Sequence, residues 1–250
     1  MLEEKRRSWA PRPRQVVAPL ALLVSALASG TLFAGPPQPS VKGKVVGWEK
    51  LLPQLYADAA KSDSHRYTWR EPSPTVKQDF RKLSADVSRD VCVAALGSGP
   101  SSQPHEPVSV KVTGGRITPS TIVLSPGSRL SFKSADPFPH VLYEVANPQW
   151  APNALAPGST REWAASAPGL HQIRDQALPS VAMYILVDPA AVEFVFPDRD
   201  GSFAMTVPPG DYTFKAIFEG KQVGKEATVH FTNFGIEMKE PMTVGGGESK

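Results

Sequence analysis

From Val108 onward the chain reads as short alternating segments separated by turn residues, and nothing else constrains its fold as tightly. "VSVKVTGG", "TIVLSPG", "RLSFKS", "HVLYEVA", "STREWAAS", "LHQIRDQ" and "VAMYILVD" follow one another within about 80 residues, punctuated by Pro, Gly, Ser or Asn-Pro. A segment that alternates apolar and polar residues has one face to bury and one to leave in water. Seven such segments in so short a span predict a β-sandwich. A second series follows: "VEFVFP", "GSFAMTV", "GDYTFKAIFEG" and "EATVHFTN". The 26 prolines and 19 glycines suit many turns and no helical bundle. The predicted class is mainly β: a sandwich, a smaller β unit after it, and one or two short helices in the N-terminal part.

Those helices are expected at residues 49–61 and 73–86. In the second, Ser73 can cap, Pro74 suits the first position, and Val76, Phe80 and Leu83 share a face. "VKGKVVGW" (41–48) alternates like a strand, "SRDVCVAAL" is predicted to be another, and 97–107 is a loop. The expected organisation is residues 1–34 as a targeting segment, 35–107 as linker and mixed α/β segment, 108–188 as the sandwich, 189–236 as the second β unit and 237–250 as a flexible tail.

The net charge of +3 comes from the N-terminus. Residues 1–34 hold five of the 27 basic and two of the 24 acidic residues, which leaves 22 of each in the remainder. A folded part without net charge lacks the positive field that nucleic acid demands. The basic start precedes "VVAPLALLVSALASGTLFA" (16–34), an apolar run ending in "GPPQPS". That order predicts export to the periplasm or cell envelope, with the run either cleaved or kept as an anchor of about one bilayer thickness. Membrane contact is expected only through residues 16–34, if they are retained. The single cysteine, Cys92, excludes an intramolecular disulfide and reads as a buried small hydrophobe.

Residues 108–188 resemble the cupredoxins, the plastocyanin-like copper proteins. "ITPSTIVLSPGSRLSFKSADPFPHVLYEV" is similar to their strand, Pro-Gly turn, strand, Asp and first copper-binding histidine. "APGSTREWAASAPGLHQIRDQALPSVAMYILV" is similar to their closing half. The resemblance implies a Greek-key sandwich with His140 at the first ligand position. It also places Asp175, Leu178 and Val181 where the family carries its cysteine, second histidine and methionine. A blue copper site depends on a thiolate and two imidazoles, so the expected state is a cupredoxin scaffold without a copper centre and with no bound cofactor. Asp175 is expected beside the imidazole of His140, with Leu178 and Val181 packed together in the remnant pocket. His171 and Met183 are further donors. In one strand, however, His171 and Asp175 lie about 13 Å apart at ~3.3 Å per residue, too far to share an ion.

Residues 192–219 resemble the small sandwiches of the carboxypeptidase-regulatory or transthyretin-like kind, through Asp198, Asp200-Gly201-x-Phe203 and Pro208-Pro209-Gly210-x-Tyr212-x-Phe214-x-Ala216. The Asp pair reads as turn chemistry, because a full set of calcium ligands is absent. If "VKGKVVGW" is a strand of the same kind, residues 41–96 and 192–234 would pack as one body beside the sandwich.

No Ser-His-Asp arrangement, HExxH spacing or phosphate loop is present. The expectation is a non-catalytic binding or structural module whose partner is an envelope protein or a polysaccharide. The alternatives are an atypical copper-binding or electron-transfer protein using His140, and a carbohydrate binder in which Trp48, Trp69, Trp150 and Trp163 form a stacking platform.

Overall fold

The computed structural model describes residues 39–54, 84–178 and 180–245. The expected targeting segment lies outside the described residues, as do residues 55–61 and 73–83 of the two expected helices. Within the described parts of those helices, Trp48–Lys50 forms a single 3-10 turn, Gln54 is helical, and residues 84–86 are not. A four-residue helix, Val87–Asp90, follows instead, capped by Asp86, whose carboxylate accepts from the Ser88 amide at 3.1 Å.

The described chain is mainly β, as the alternation predicts. Two sheets face each other in the first sandwich. One runs in the order Arg116–Thr118, Val108–Thr113, Arg129–Ser134, Thr160–Ala164. The other has the order Thr121–Leu124, Ala182–Val187, Gly169–Asp175, His140–Glu144, Asn153–Leu155. Val110, Val112, Leu130, Phe132 and Trp163 from the first sheet meet Ile122, Leu142, Ile173, Met183 and Ile185 from the second in one buried core. These are the inward residues of each alternating segment, so the strand pattern and the core agree.

The second sandwich is discontinuous in sequence. Val91–Leu96 sits between Ala191–Val195 and Gly210–Phe218, with Lys221–Phe231 at the edge. Against it packs a sheet centred on Val41–Val46, which pairs with Ser202–Met205 and runs parallel to Ile236–Glu237 and Met242–Thr243. The strands at 41–46 and 91–96 therefore belong with 191–231, and the first sandwich is inserted between Leu96 and Ala191. This corrects two expected boundaries. Segment 35–107 contributes strands to the second β unit. Residues 237–245 are not a flexible tail, because Met242 and Val244 are buried in the second core; residues 246–250 lie outside the described residues.

A third apolar cluster joins the sandwiches. Cys92, Ala94 and Ile217 on the outer face of one sheet meet Val123 of the other sandwich, with Ala191 between them. Val91–Leu96 and Thr121–Leu124 thus bury both faces, which is why "VCVAAL" and "TIVL" carry almost no alternating polar residues. Cys92 is fully buried at this junction.

Candidate functional site

One end of the first sandwich holds a buried carboxylate–imidazole–carboxylate cluster. It is assembled from a turn, a loop and the ends of two adjacent strands. The Gly114-Gly115 turn takes φ of 60° and 68°, a region that favours glycine. Its two amides donate to Asp136, at 2.7 Å to Oδ1 and 3.3 Å to Oδ2. Pro137 and Pro139 then flank Phe138, whose ring is 41% exposed and lies 5.2 Å from the imidazole of His140.

His140 opens its strand and is fully buried. Its Nδ1 lies 2.6 Å from Asp175 Oδ2, and its Nε2 lies 3.1 Å from Asp136 Oδ2. Asp175 closes the neighbouring strand. Its other oxygen accepts from the amides of Val141 at 3.1 Å and Ala177 at 2.8 Å. As an ionised carboxylate Asp136 can only accept, so the bond between it and Nε2 is one that the ring nitrogen donates. Burial works against the charge on Asp136, but the amides of Gly114 and Gly115, followed by His140, outweigh it and hold the carboxyl below its usual range.

A related cluster occupies the other end of the same two strands. His171 Nδ1 lies 2.6 Å from Glu144 Oε1, and its Nε2 lies 2.8 Å from the Ala167 carbonyl. Glu144 Oε2 accepts from Trp163 Nε1 at 2.7 Å and from Asn147 Nδ2 at 2.8 Å. Trp163 belongs to the opposite sheet, so this carboxylate ties the two layers together. Glu144 too is held below the usual range: burial opposes its charge, and the three side-chain donors prevail.

The two clusters share one sequence logic. "HVLYE" (140–144) and "HQIRD" (171–175) each place an imidazole and a carboxylate four residues apart on the inward face. Antiparallel pairing of Leu142 with Asp175 and of Glu144 with Ile173 brings each imidazole diagonally to the other strand's carboxylate. That repeated spacing was the available signal for Glu144. Asp136 lies only four residues before His140, in the Asp-then-histidine order of the family resemblance, but the amides that hold its carboxylate in place come from a turn 22 residues upstream.

Of the sequence-derived site residues, the structure brings Asp175 to His140. Leu178 packs, partly buried, against the first core, and Val181 is fully buried in that core. Met183 is likewise a core residue. His171 is engaged with Glu144 and is separated from the His140 cluster by Ile173 and Leu142. This donor set does not fit a type 1 copper ion. The one imidazole present is taken at both nitrogens, and the carboxylates approach its opposite edges. The thiol of Cys92 belongs to the second sandwich, where burial pushes it up to about 12. Among the described residues, no group of three or more His, Cys, Asp or Glu side chains is arranged to hold a metal ion.

The other candidates are accounted for by local packing. Asp200 accepts from the amide and hydroxyl of Ser202 at 3.0 and 2.6 Å, which is turn chemistry. The described tryptophans form no common platform. Trp163 is buried, Trp48 packs against the second core, and Trp150 lies under the Arg161 guanidinium at 3.7 Å. Trp69 lies outside the described residues.

No protein family model matches this chain, and no curated protein matches it. Among solved structures, it is similar to a copper-containing nitrite reductase from Thermus scotoductus SA-01, at 18% identity and a TM-score of 0.30 over 38% of this chain and 25% of that one. The chain therefore spans a quarter of that protein's length. It is also similar to a purple cupredoxin from Nitrosopumilus maritimus, at 13% identity and a TM-score of 0.28 over 32% of this chain and 99% of that one. A reduced amicyanin variant gives 10% identity and a TM-score of 0.31 over 38% and 98%.

Proposed function

We propose that this chain is a non-catalytic, exported binding or structural module of the bacterial periplasm or cell envelope. It is built on a cupredoxin-like scaffold whose copper centre is replaced by the Asp136–His140–Asp175 cluster. The carrying observation is the 2.6 Å contact between His140 Nδ1 and Asp175 Oδ2, which occupies the nitrogen a metal would need. A cluster satisfied in this way rigidifies one end of the sandwich and leaves no open coordination position. Export rests on the basic-then-apolar N-terminus, and the non-catalytic reading on the lack of a nucleophile, base and oxyanion arrangement in the sequence.

Metal analysis of protein purified from its native envelope tests the reading. Copper is expected well below one equivalent after dialysis against a mild chelator. Stoichiometric copper that survives dialysis and disappears in His140→Ala would establish the electron-transfer or copper-handling alternative instead. Fractionation that finds the full-length chain soluble in the cytoplasm would refute the export part.

A further inference from the structure

The outer face of the sheet at Val108–Thr113, opposite the buried core, carries a charge arrangement that the fold does not explain. Strand register aligns Thr118, Lys111, Lys133 and Thr160 in one continuous row across all four strands. Lys111 and Lys133 are therefore direct neighbours, roughly 4.8 Å apart in the strand-to-strand direction. Like charges placed opposite each other destabilise a sheet. Both lysines are exposed, and neither has an ion-pair partner among the described residues. The next row pairs Ser109 with Ser131 and Ser131 with Glu162, and that glutamate faces Arg129 at 3.8 Å. The register itself is set by the inward residues Val110, Val112 and Phe132, so the sheet would form as well with one lysine replaced.

We propose that this face binds a carboxylate-bearing polysaccharide, with Lys111 and Lys133 straddling its acid groups and the flanking threonines and serines bonding sugar hydroxyls. The proposal rests on the reading of the chain as an exported binding module and names the class of its ligand. Three features select this occupant. The large hydrophobics that the described surface exposes are Leu52, Phe138, Val145, Leu170 and Phe234, and none lies on these strands, so the face offers nothing to insert into a lipid layer. It has no exposed aromatic on which bases could stack. Two lysines also fall well short of the roughly 6–10 phosphate contacts that a nucleic-acid backbone takes. What remains is a row about 14 Å across that sets hydroxyls on either side of a concentrated positive pair, which suits an acidic sugar chain.

The experiment uses the whole purified protein titrated with polygalacturonate, with dextran as the neutral polymer and oligothymidine as the nucleic-acid probe. Polygalacturonate should bind, more weakly as salt rises, and dextran should not. Lys111→Gln with Lys133→Gln should weaken binding about tenfold, the effect of losing two exposed ion pairs. Lys42→Gln with Lys44→Gln removes the same charge from the second sandwich and should leave binding within about twofold. Equal loss in both double variants, equal binding of dextran, tighter binding of oligothymidine, or no binding of polygalacturonate would each overturn the proposal. A copper-free, exported protein that fails this titration would still be the module described above, so the two readings fail separately.

Discussion

Replacing His140 by alanine isolates what the buried cluster contributes. The imidazole is fully buried and makes two hydrogen bonds to carboxylates, at 2.6 and 3.1 Å. Hydrogen bonds to charged groups contribute about 1.5–3 kcal/mol each. Breaking a buried charged pair by removing one partner costs about 3–5 kcal/mol, because the other charge stays behind. Two details pull the figure toward the lower end. Asp136 keeps the Gly114 and Gly115 amides, and Asp175 keeps those of Val141 and Ala177. The expected loss is thus about 3 kcal/mol, a large part of the roughly 5–15 kcal/mol that holds a typical domain together. Urea unfolding at pH 7, followed by tryptophan fluorescence, should show a midpoint lower by about 1 M or more. The decisive comparison is His140→Leu combined with Asp136→Asn and Asp175→Asn. That variant removes the charges with the imidazole and should recover most of the loss. A cost under about 1 kcal/mol for His140→Ala, or a combined variant no better than the single one, would refute the reasoning that charge pairing holds this end of the sandwich.

Acid should destabilise the first sandwich. Asp136 and Glu144 have folded pKa values below their unfolded ones, so their contribution is complete above the usual carboxylate range of about 4 and is lost as pH falls through the lowered folded values. Urea midpoints between pH 7 and pH 2 should fall in that window, and Glu144→Gln should flatten the fall. Cys92, fully buried with its thiol pushed up to about 12, should resist a thiol reagent in the native protein and react fully in denaturant; native labelling within minutes would contradict the packed junction. Asp175→Cys, Leu178→His and Val181→Met together should create a copper–thiolate centre with intense visible absorption, since position 175 already faces His140 Nδ1. A folded, copper-loaded but colourless variant would show that the alignment of these three positions is wrong.

The strands of both sandwiches were legible because alternation is a local property. Whether a residue at a given position points inward follows from the pleat, and Val110, Phe132, Ile173 and Phe214 all obey it. The short strands Arg116–Thr118, Asn153–Leu155, Ile236–Glu237 and Met242–Thr243 escaped, since two or three residues show no periodicity. The meeting of His140 with Asp175 followed from the family resemblance. The contact of Glu144 with Trp163 was missed because it joins opposite sheets, and the anchoring of Asp136 because it depends on the Gly114-Gly115 turn, although Asp136 itself lies four residues from His140.

By itself, the sequence determined the class of the protein and the inward face of most strands. Both depend on residue type and on neighbours within a few positions. Only the tertiary structure decided which strands pair, that the first sandwich interrupts the second, and that His140 is held between two carboxylates. Those outcomes depend on burial shared between distant segments. Val91–Leu96 reads as an apolar run in either setting, and it becomes a central strand only where both of its faces find partners, in the second core on one side and against Val123 on the other.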